Sequence, residues 1–190
     1  MLEVEAKFIV DSFDLLEAKY QFDGPVLQRD IYYQHPSRDF MKTGEWFRVR
    51  RIFKGIPCAE NLGCEEIHLC HKGSNQGSSD VKSRREIEFS VPMDIIELLQ
   101  ILDFAELIRV EKYRRSAVVT PTNDSGEPTF TITLDEVLGL GKYVEIEMLV
   151  LKEEFKAGAI EAINDIAKKL GLTQPEKHGY AKLMLKKEKK

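Results

Sequence analysis

Residues 2–8 alternate between apolar and charged side chains without a break. If this segment is a β-strand, its side-chain period of two places Glu3, Glu5 and Lys7 on one face and only apolar residues on the other. One such strand alone is typical of a solvated sheet edge. The constraint on the fold therefore depends on whether other segments repeat the alternation.

The alternation recurs along the chain, and about seven segments place a charged pair or triplet on one face and apolar residues on the opposite face. Turn and loop residues separate these segments, and loops are predicted at 54–63, 73–79 and 121–128. The predicted strands are 1–8, 27–33, 45–52, 66–72, 84–89, 109–119, 130–135 and 142–148.

Helical spacing of apolar residues predicts helices between and after these strands. Asp11 and Ser12 are good N-cap residues for the first helix, and Gly171 occupies the usual C-cap position after the longest. The chain has no solenoid-type repeat and no dividing linker, so residues 1–190 are predicted to form a single domain. The predicted helices are 13–20, 92–107, 153–170 and 177–185.

Composition excludes several classes of function. The 190 residues carry a formal net charge of −4, which gives no general attraction to nucleic acid. No apolar run approaches the roughly 18 residues of a membrane span, and the charged N-terminus does not resemble a signal peptide. The sequence therefore predicts a cytoplasmic protein without a nucleic-acid or membrane partner.

Three cysteines, Cys58, Cys64 and Cys70, cannot all pair with one another, which suits a reducing compartment. His68 and His71 lie close to Cys70 in the sequence and raise the question of a zinc site. The cysteines form no Cys-x-x-Cys pair, and their even spacing of six matches no established zinc pattern. Free thiols in and beside a loop are the favoured interpretation.

The charged faces differ from those of an ordinary amphipathic sheet because like charges are sorted by strand. Like charges at i and i+2 repel each other on a surface, whereas adjacent carboxylates hold Mg2+ and paired arginines grip phosphate oxygens. These patterns predict a closed antiparallel barrel with a charged, solvated interior for a polyanion and its metals, and with apolar outer faces under helices. The opposite plan, an apolar interior with a charged coat, is not excluded by composition.

The ordered set of charged motifs resembles the CYTH or triphosphate tunnel metalloenzyme superfamily, which is named for class IV adenylate cyclases and thiamine triphosphatases. A lone Glu-x-Glu-x-Lys is a weak motif, but seven motifs in order, each in a strand-like context, are specific. The turns at 35–40 and 138–142 are similar to the prokaryotic class IV cyclase-like branch. The motifs are Glu3-x-Glu5-x-Lys7, Arg48-x-Arg50, Lys72, Arg84-x-Glu86-x-Glu88, Lys112-x-Arg114, Asp135 with Glu145-x-Glu147, and Lys182.

The resemblance implies an α+β fold, in which a closed eight-stranded antiparallel β-barrel forms a triphosphate tunnel and helices pack on its outside. It also implies Mg2+ or Mn2+ as cofactor and a small-molecule triphosphate as partner, in a monomer or a homodimer. Glu88 is alternatively a salt-bridge partner, and Lys182 a helix-surface lysine. The implied catalytic residues are Glu5, Lys7 and Lys112; the substrate-binding residues are Lys7, Arg48, Arg50, Lys72, Arg84, Lys112, Arg114 and Lys182; the metal ligands are Glu3, Glu5, Glu86, Glu88, Asp135, Glu145 and Glu147.

One binding mode leaves two reactions open. The first expectation is a class IV adenylate cyclase-like enzyme, in which the ribose 3′-hydroxyl of ATP attacks the α-phosphorus and pyrophosphate leaves. The alternative is a triphosphatase, in which water attacks the terminal phosphorus of thiamine triphosphate or inorganic triphosphate. A non-catalytic polyphosphate- or nucleotide-binding module is less favoured, because a pure anion binder gains nothing from carboxylates unless metals bridge them.

Overall fold

Eight antiparallel strands close into a barrel in a computed structural model of the chain, which describes residues 2–54, 66–76, 80–120 and 128–188. The strands are β1 (Leu2–Val10), β2 (Val26–Gln34), β3 (Trp46–Lys54), β4 (Glu66–Lys72), β5 (Val81–Ser90), β6 (Ala105–Val119), β7 (Phe130–Val137) and β8 (Gly141–Val150). They follow the order β1-β5-β4-β3-β2-β6-β7-β8 around the barrel, and β8 pairs with β1 to close it. The expected eight-stranded barrel is confirmed.

The helices are shorter than the sequence predicted. The apolar run expected to be helical over 92–107 is helical only to Ile101, because Asp103 turns the chain with a φ of 58° and Ala105 begins β6. The helix predicted over 13–20 is a single turn. Within the described residues the helices are α1 (Asp14–Glu17), α2 (Phe40–Thr43), α3 (Ile95–Ile101), α4 (Lys156–Lys169, preceded by a 3-10 turn at Glu153–Phe155) and α5 (Tyr180–Glu188).

The charged strand faces point into the barrel, and the apolar faces point outward under the helices. Lys7 on β1 faces the interior and is only 3% exposed, whereas its neighbour Ala6 packs outward in one cluster with Ile163 and Ile166 of α4. The outer faces of β2, β3 and β4 are covered in the same way by Leu99 of α3. The predicted inverted plan is therefore confirmed, and the barrel with a charged coat is excluded.

Several strands extend beyond their predicted ends. β5 begins at Val81 rather than at residue 84, and this extension brings Lys82 onto the inner face. The predicted loop at 54–63 lies outside the described residues except for Lys54, which ends β3, so Cys58 and Cys64 are not described. Most of the predicted loop at 121–128 is likewise outside them. None of the described helices combines the length and apolarity needed to cross a membrane.

Candidate active site

The barrel interior holds a cavity lined mainly by charged side chains. They project from β1, β3, β4, β5, β6 and β8, because every second residue of each strand faces inward. The lining brings together most of the residues that the sequence predicted for the site. Among the described residues, the lining cations are Lys7, Arg48, Arg50, Lys72, Lys82, Arg84, Lys112 and Arg114, and the lining carboxylates are Glu3, Glu5, Glu145 and Glu147.

Lys72 joins the carboxylates of two neighbouring strands. Its Nζ lies 2.7 Å from Glu3 Oε2 on β1 and 2.8 Å from Glu86 Oε2 on β5. Burial disfavours the charge on this amine, but Glu3 and Glu5 outweigh burial and raise the pKa of Lys72. Lys72 therefore stays cationic at the cavity wall, where it is paired with Glu3 and Glu86.

Glu5 is held as an anion by two lysines. Lys82 Nζ lies 3.3 Å from Glu5 Oε1. Burial opposes ionisation of Glu5, but Lys72 and Lys82 lower its pKa to about 2. The carboxylate is charged throughout the physiological range, as a ligand of a divalent cation has to be.

Lys7 lies between a carboxylate and an aromatic ring. Its Nζ is 3.1 Å from Glu145 Oε1 and 3.5 Å from the centroid of the Tyr180 ring, at the start of α5. Burial opposes ionisation of Glu145, whereas Lys7 and Arg114 hold its pKa well below the ordinary value. Tyr180, in the first turn of α5, thus contacts Lys7 of β1 inside the barrel.

Asp135 lies beneath the cavity surface rather than on it. Arg114 donates to both carboxylate oxygens, at 2.6 and 2.5 Å, while Lys112 Nζ and the Tyr180 hydroxyl donate at 2.9 and 2.8 Å. The side chain of Asp135 is fully buried and is not part of the described cavity lining. In this structure Asp135 orients Lys112 and Arg114, and its assignment as a metal ligand stays a prediction.

A similar buried carboxylate supports the arginines of β3. Arg50 donates to the two oxygens of Asp30 at 2.7 Å each, and Arg48 Nη1 lies 3.2 Å from Asp30 Oδ2. Burial raises the pKa of Asp30, but Arg50 and Arg48 together bring it below the ordinary value. This pairing holds both guanidinium groups at the cavity wall.

Glu147 is the lining carboxylate without a cation. Glu3, Glu5 and Glu145 each pair with a lysine or arginine, whereas Glu147 forms no ion pair with any residue that the structure describes. Burial and the neighbouring charges of Glu3 and Glu145 raise the pKa of Glu147 to about 7.

A divalent cation would remove this repulsion, and the four carboxylates supply only oxygen ligands, which Mg2+ prefers. The described lining therefore fits Mg2+ or Mn2+ through Glu3, Glu5, Glu145 and Glu147.

Lys112 has an unusual environment for a lysine. It is almost fully buried, and burial and the adjacent Arg114 lower its pKa to about 7 although Asp135 favours the charged form. A polyanion in the cavity would favour the protonated amine, so binding and protonation of Lys112 are coupled.

The remaining predicted residues occupy different positions. Arg84 lines the cavity, and its Nε has no hydrogen-bond partner among the described residues. Glu88 pairs with Arg48 at 3.3 Å, which is the salt-bridge alternative. Glu86 and Glu88 line an adjoining cavity that Glu3 and Glu147 also line. Lys182 lies on the exposed face of α5, outside the described lining, so its role in substrate binding stays a prediction without support from its position.

Several site residues were not predicted, among them Lys82, Asp30 and Tyr180. Lys82 and Asp30 continue an alternation that the sequence displays, since Lys82 stands two residues before Arg84 and Asp30 lies between Gln28 and Tyr32 in the predicted strand 27–33. Both residues would have been identified if every second position of their strands had been assigned to the barrel interior. Tyr180 has no comparable pattern, because its position depends on how α5 meets the end of the barrel.

Comparisons with known proteins agree with this geometry. The chain matches the CYTH domain over residues 1–180. It is 26% identical over 182 residues to "Putative adenylate cyclase MJ0240" of Methanocaldococcus jannaschii, covering 92% of each chain.

Among solved structures, the PH1819 protein of Pyrococcus horikoshii OT3 is 36% identical, with a TM-score of 0.82 over 97% of this chain and 99% of that one. A Hippeastrum protein, described as the putative adenylyl cyclase HpAC1 that reveals a dominant triphosphatase activity, shares the fold at 17% identity, with a TM-score of 0.63 over 100% of this chain and 96% of that one. A charged barrel interior and a family match over nearly the whole length lead to one conclusion: the chain belongs to the CYTH domain family.

Proposed function

We propose that this protein is a divalent-metal-dependent enzyme that binds a triphosphate inside its barrel, and that ATP is its substrate for cyclisation to cyclic AMP and pyrophosphate. The observation that carries the proposal is a cavity in which eight described cations face four described carboxylates. The cations match the oxygens of a triphosphate, and the carboxylates match the metal that accompanies it.

The triphosphate chain would be held mainly by the guanidinium groups. Asp30 orients Arg48 and Arg50, and Asp135 orients Arg114, so these groups are fixed before substrate arrives. Arg84 has spare donors for a phosphate oxygen, because its Nε is unpaired among the described residues. Preorganised cations of this kind stabilise charge that develops on a leaving phosphate group.

Glu3, Glu5, Glu145 and Glu147 are the proposed metal ligands. When bound, Mg2+ or Mn2+ would supply Lewis-acid neutralisation of phosphate oxygens. The contribution of the chain is to keep Glu5 ionised through Lys72 and Lys82 and to leave Glu147 without a competing cation.

In the proposed cyclisation, the 3′-oxygen forms a bond to the α-phosphorus, the bond from this phosphorus to the bridging oxygen of the β-phosphate breaks, and the hydroxyl proton leaves to water. Lys7 and Lys112 both lie against the Tyr180 ring, at 3.5 and 4.9 Å from its centroid, and would neutralise the departing pyrophosphate. The base would have to lie against the few uncharged lining groups, among which Tyr32 and Trp46 stack edge to face at 5.8 Å.

Hydrolysis of thiamine triphosphate or inorganic triphosphate is the second candidate. It is favoured by the predominance of charged groups in the described lining, which suits the phosphate chain more than a nucleoside. In this reaction a water oxygen bonds to the terminal phosphorus, orthophosphate is released, and the same cations neutralise the leaving group.

Product analysis separates the two candidates. The purified protein is incubated with ATP, inorganic triphosphate or thiamine triphosphate, each with Mg2+ or Mn2+, and the products are resolved by chromatography. Cyclic AMP with equimolar pyrophosphate from ATP supports the cyclase. Orthophosphate released fastest from triphosphate or its thiamine ester replaces it with the hydrolase, and binding without any product refutes both reactions.

A further inference from the structure

A thiol, two carboxylates and an imidazole meet on the inner face where β4 pairs with β5. Cys70 and Glu88 are direct register partners on these two strands. His68 and Glu86 stand two residues from Cys70 and Glu88 respectively, so all four side chains share the inward phase. This cluster adjoins the carboxylates of β1 and β8 that the proposed function assigns to Mg2+, since Cys70 lines the same cavity and Lys72 bridges Glu86 to Glu3, but it uses none of those carboxylates.

The ligand atoms of this cluster are already close together. Cys70 Sγ lies 3.0 Å from Glu86 Oε1, and this sulfur and one oxygen from each of Glu86 and Glu88 all lie within 4.8 Å of one another. Ligands of a tetrahedral zinc ion are about 3.5 Å apart, so only small rotamer changes would bring the three to one ion. His68 Nδ1 lies 3.4 Å from Glu88 Oε1 and is the nearest candidate for a fourth ligand.

The chemistry of the ligands selects a different ion from the carboxylate site. Thiolate sulfur and imidazole nitrogen suit Zn2+ and related transition metals, whereas Mg2+ prefers oxygen alone. Buried free cysteines usually behave as small apolar side chains, but the fully buried Cys70 lies against charged carboxylates. We propose that Cys70, Glu86 and Glu88, assisted by His68, form a transition-metal site of Zn2+ type in the barrel wall.

The charges around the cluster are compatible with this assignment. Binding would displace the Cys70 thiol proton to solvent, and one thiolate with two carboxylates would exceed the ion's charge by one negative unit. Arg48 Nη2 at 3.3 Å from Glu88 and Lys72 Nζ at 2.8 Å from Glu86 are placed to compensate that excess. Because both cations also line the tunnel, an ion here would loosen their pairing with the carboxylates and leave them freer for a triphosphate.

The experiment uses Co2+ as a spectroscopic probe of the full-length protein, in the presence of excess Mg2+ to occupy oxygen-only sites. The double variant Cys58→Ser/Cys64→Ser leaves Cys70 as the only thiol in the chain. We expect this variant to retain the sulfur-to-cobalt charge-transfer absorption of the parent, and Zn2+ to abolish the absorption by displacing Co2+. Cys70→Ser, with both other cysteines present, should lack it.

A second substitution keeps the proposal falsifiable if Cys70→Ser does not fold, as judged by circular dichroism. Glu88→Gln should retain the charge-transfer absorption but weaken Co2+ binding about tenfold or more, because one ligand is lost. The proposal is overturned if no charge-transfer absorption develops, if the absorption requires Cys58 or Cys64, or if Glu88→Gln leaves Co2+ affinity unchanged. None of these readouts depends on turnover, so the site can fail independently of the proposed reaction.

Discussion

Glu5 is the residue whose role the charge distribution defines most sharply. Two lysines keep it ionised, with a pKa of about 2, on the inner face of β1. Glu5→Gln keeps the size of the side chain but removes a metal ligand, so we expect loss of at least about 100-fold in kcat with the fold intact, since ligand and supporting residues commonly matter to this extent. Steady-state kinetics and circular dichroism measure the two effects.

The matched control is Glu136→Gln, because Glu136 lies exposed on the outer face of β7. Its kinetics should equal those of the parent protein. Retained turnover in Glu5→Gln would remove the metal-ligand assignment of that residue.

Lys82 is a cavity-lining cation that belongs to none of the charged sequence motifs. Because its amine lies 3.3 Å from Glu5 and lines the cavity, Lys82→Gln should weaken triphosphate binding about tenfold, equivalent to about 1.4 kcal/mol. Titration calorimetry with inorganic triphosphate and Mg2+ measures this change. Lys82→Arg should recover part of the affinity because it keeps the charge, and Lys168→Gln on the exposed face of α4 serves as the neutral control.

Because of the ion pairs of Asp30, we expect the stability of the fold to decrease in acid whether or not a ligand is bound. Its folded-state pKa lies below the ordinary 3.8 because Arg50 and Arg48 outweigh burial, so its stabilisation is complete above that value and is lost as the pH falls toward the folded-state pKa. Asp30→Asn removes the carboxylate paired with Arg50 and leaves Arg48 with Glu88, and should cost about 3–5 kcal/mol at neutral pH.

Urea unfolding of the parent and of Asp30→Asn at about pH 7 and about pH 3 tests this prediction. The difference in unfolding free energy should narrow at the lower pH, because the unfolded parent protonates this aspartate near its ordinary pKa of 3.8 while the folded parent still holds it ionised. A difference that stays constant would show that Asp30 contributes through packing rather than through its charge.

At the scale of elements, the strands were easier to predict than the helices, for a physical reason. A strand with one charged face repeats every two residues, so segments such as Glu66–Lys72 were predicted with their observed limits. The segment 92–107 is rich in apolar residues through both α3 and the start of β6. A short apolar run is compatible with the period of a helix and with that of a strand, so the sequence does not show where one ends and the other begins. Tertiary pairing of β6 with β2, starting at Ala105, decides the outcome there.

The candidate site followed from the same periodicity, but the pairing of its charges did not. The inward phase identified Arg48, Arg50, Lys112 and Arg114 from sequence, because their strands alternate cleanly. That Asp135 lies beneath Arg114 while Glu147 has no described cation depends on side-chain depth and on contacts across the barrel. Side-chain depth and contacts across the barrel follow no sequence periodicity, so they could not be predicted from the alternation of charged and apolar residues.

Helix α4 should stabilise the barrel without taking part in binding. Ile163 is completely buried between α4 and the outer faces of the strands, so Ile163→Ala should cost about 2–5 kcal/mol of unfolding free energy. Denaturant titration measures the loss, and Asn164→Ala, at an exposed neighbouring position, should change stability little. Because Ile163 packs outside the barrel, the KM of the folded variant should match the parent. A KM change as large as that of Lys82→Gln would mean that the outer packing shapes the tunnel.

For the molecule as a whole, the net charge is negative, whereas cations outnumber carboxylates in the described lining of the main cavity. The chain carries a formal net charge of −4, yet the described lining has twice as many cations as carboxylates. An anion is therefore favoured only inside the barrel, and only if it is small enough to enter. This arrangement predicts selective binding of short polyphosphates and no binding of nucleic acid, which an unlabelled RNA competitor tests against bound triphosphate. Displacement by RNA at matched phosphate concentration would contradict it.

Burial of so many charges makes the stability of the barrel depend on its ligand. A ligand that binds only the folded state at 100 times its Kd adds about 2.7 kcal/mol, so inorganic triphosphate with Mg2+ should raise the Tm measurably. Triphosphate without metal should raise the Tm less, because Glu147 then stays uncompensated beside Glu3 and Glu145. In Glu147→Gln the Mg2+-dependent part of the shift should shrink, whereas Glu136→Gln should behave as the parent. Equal shifts with and without Mg2+ in the parent would mean that the carboxylates hold no metal, and that the tunnel binds the triphosphate as a bare anion.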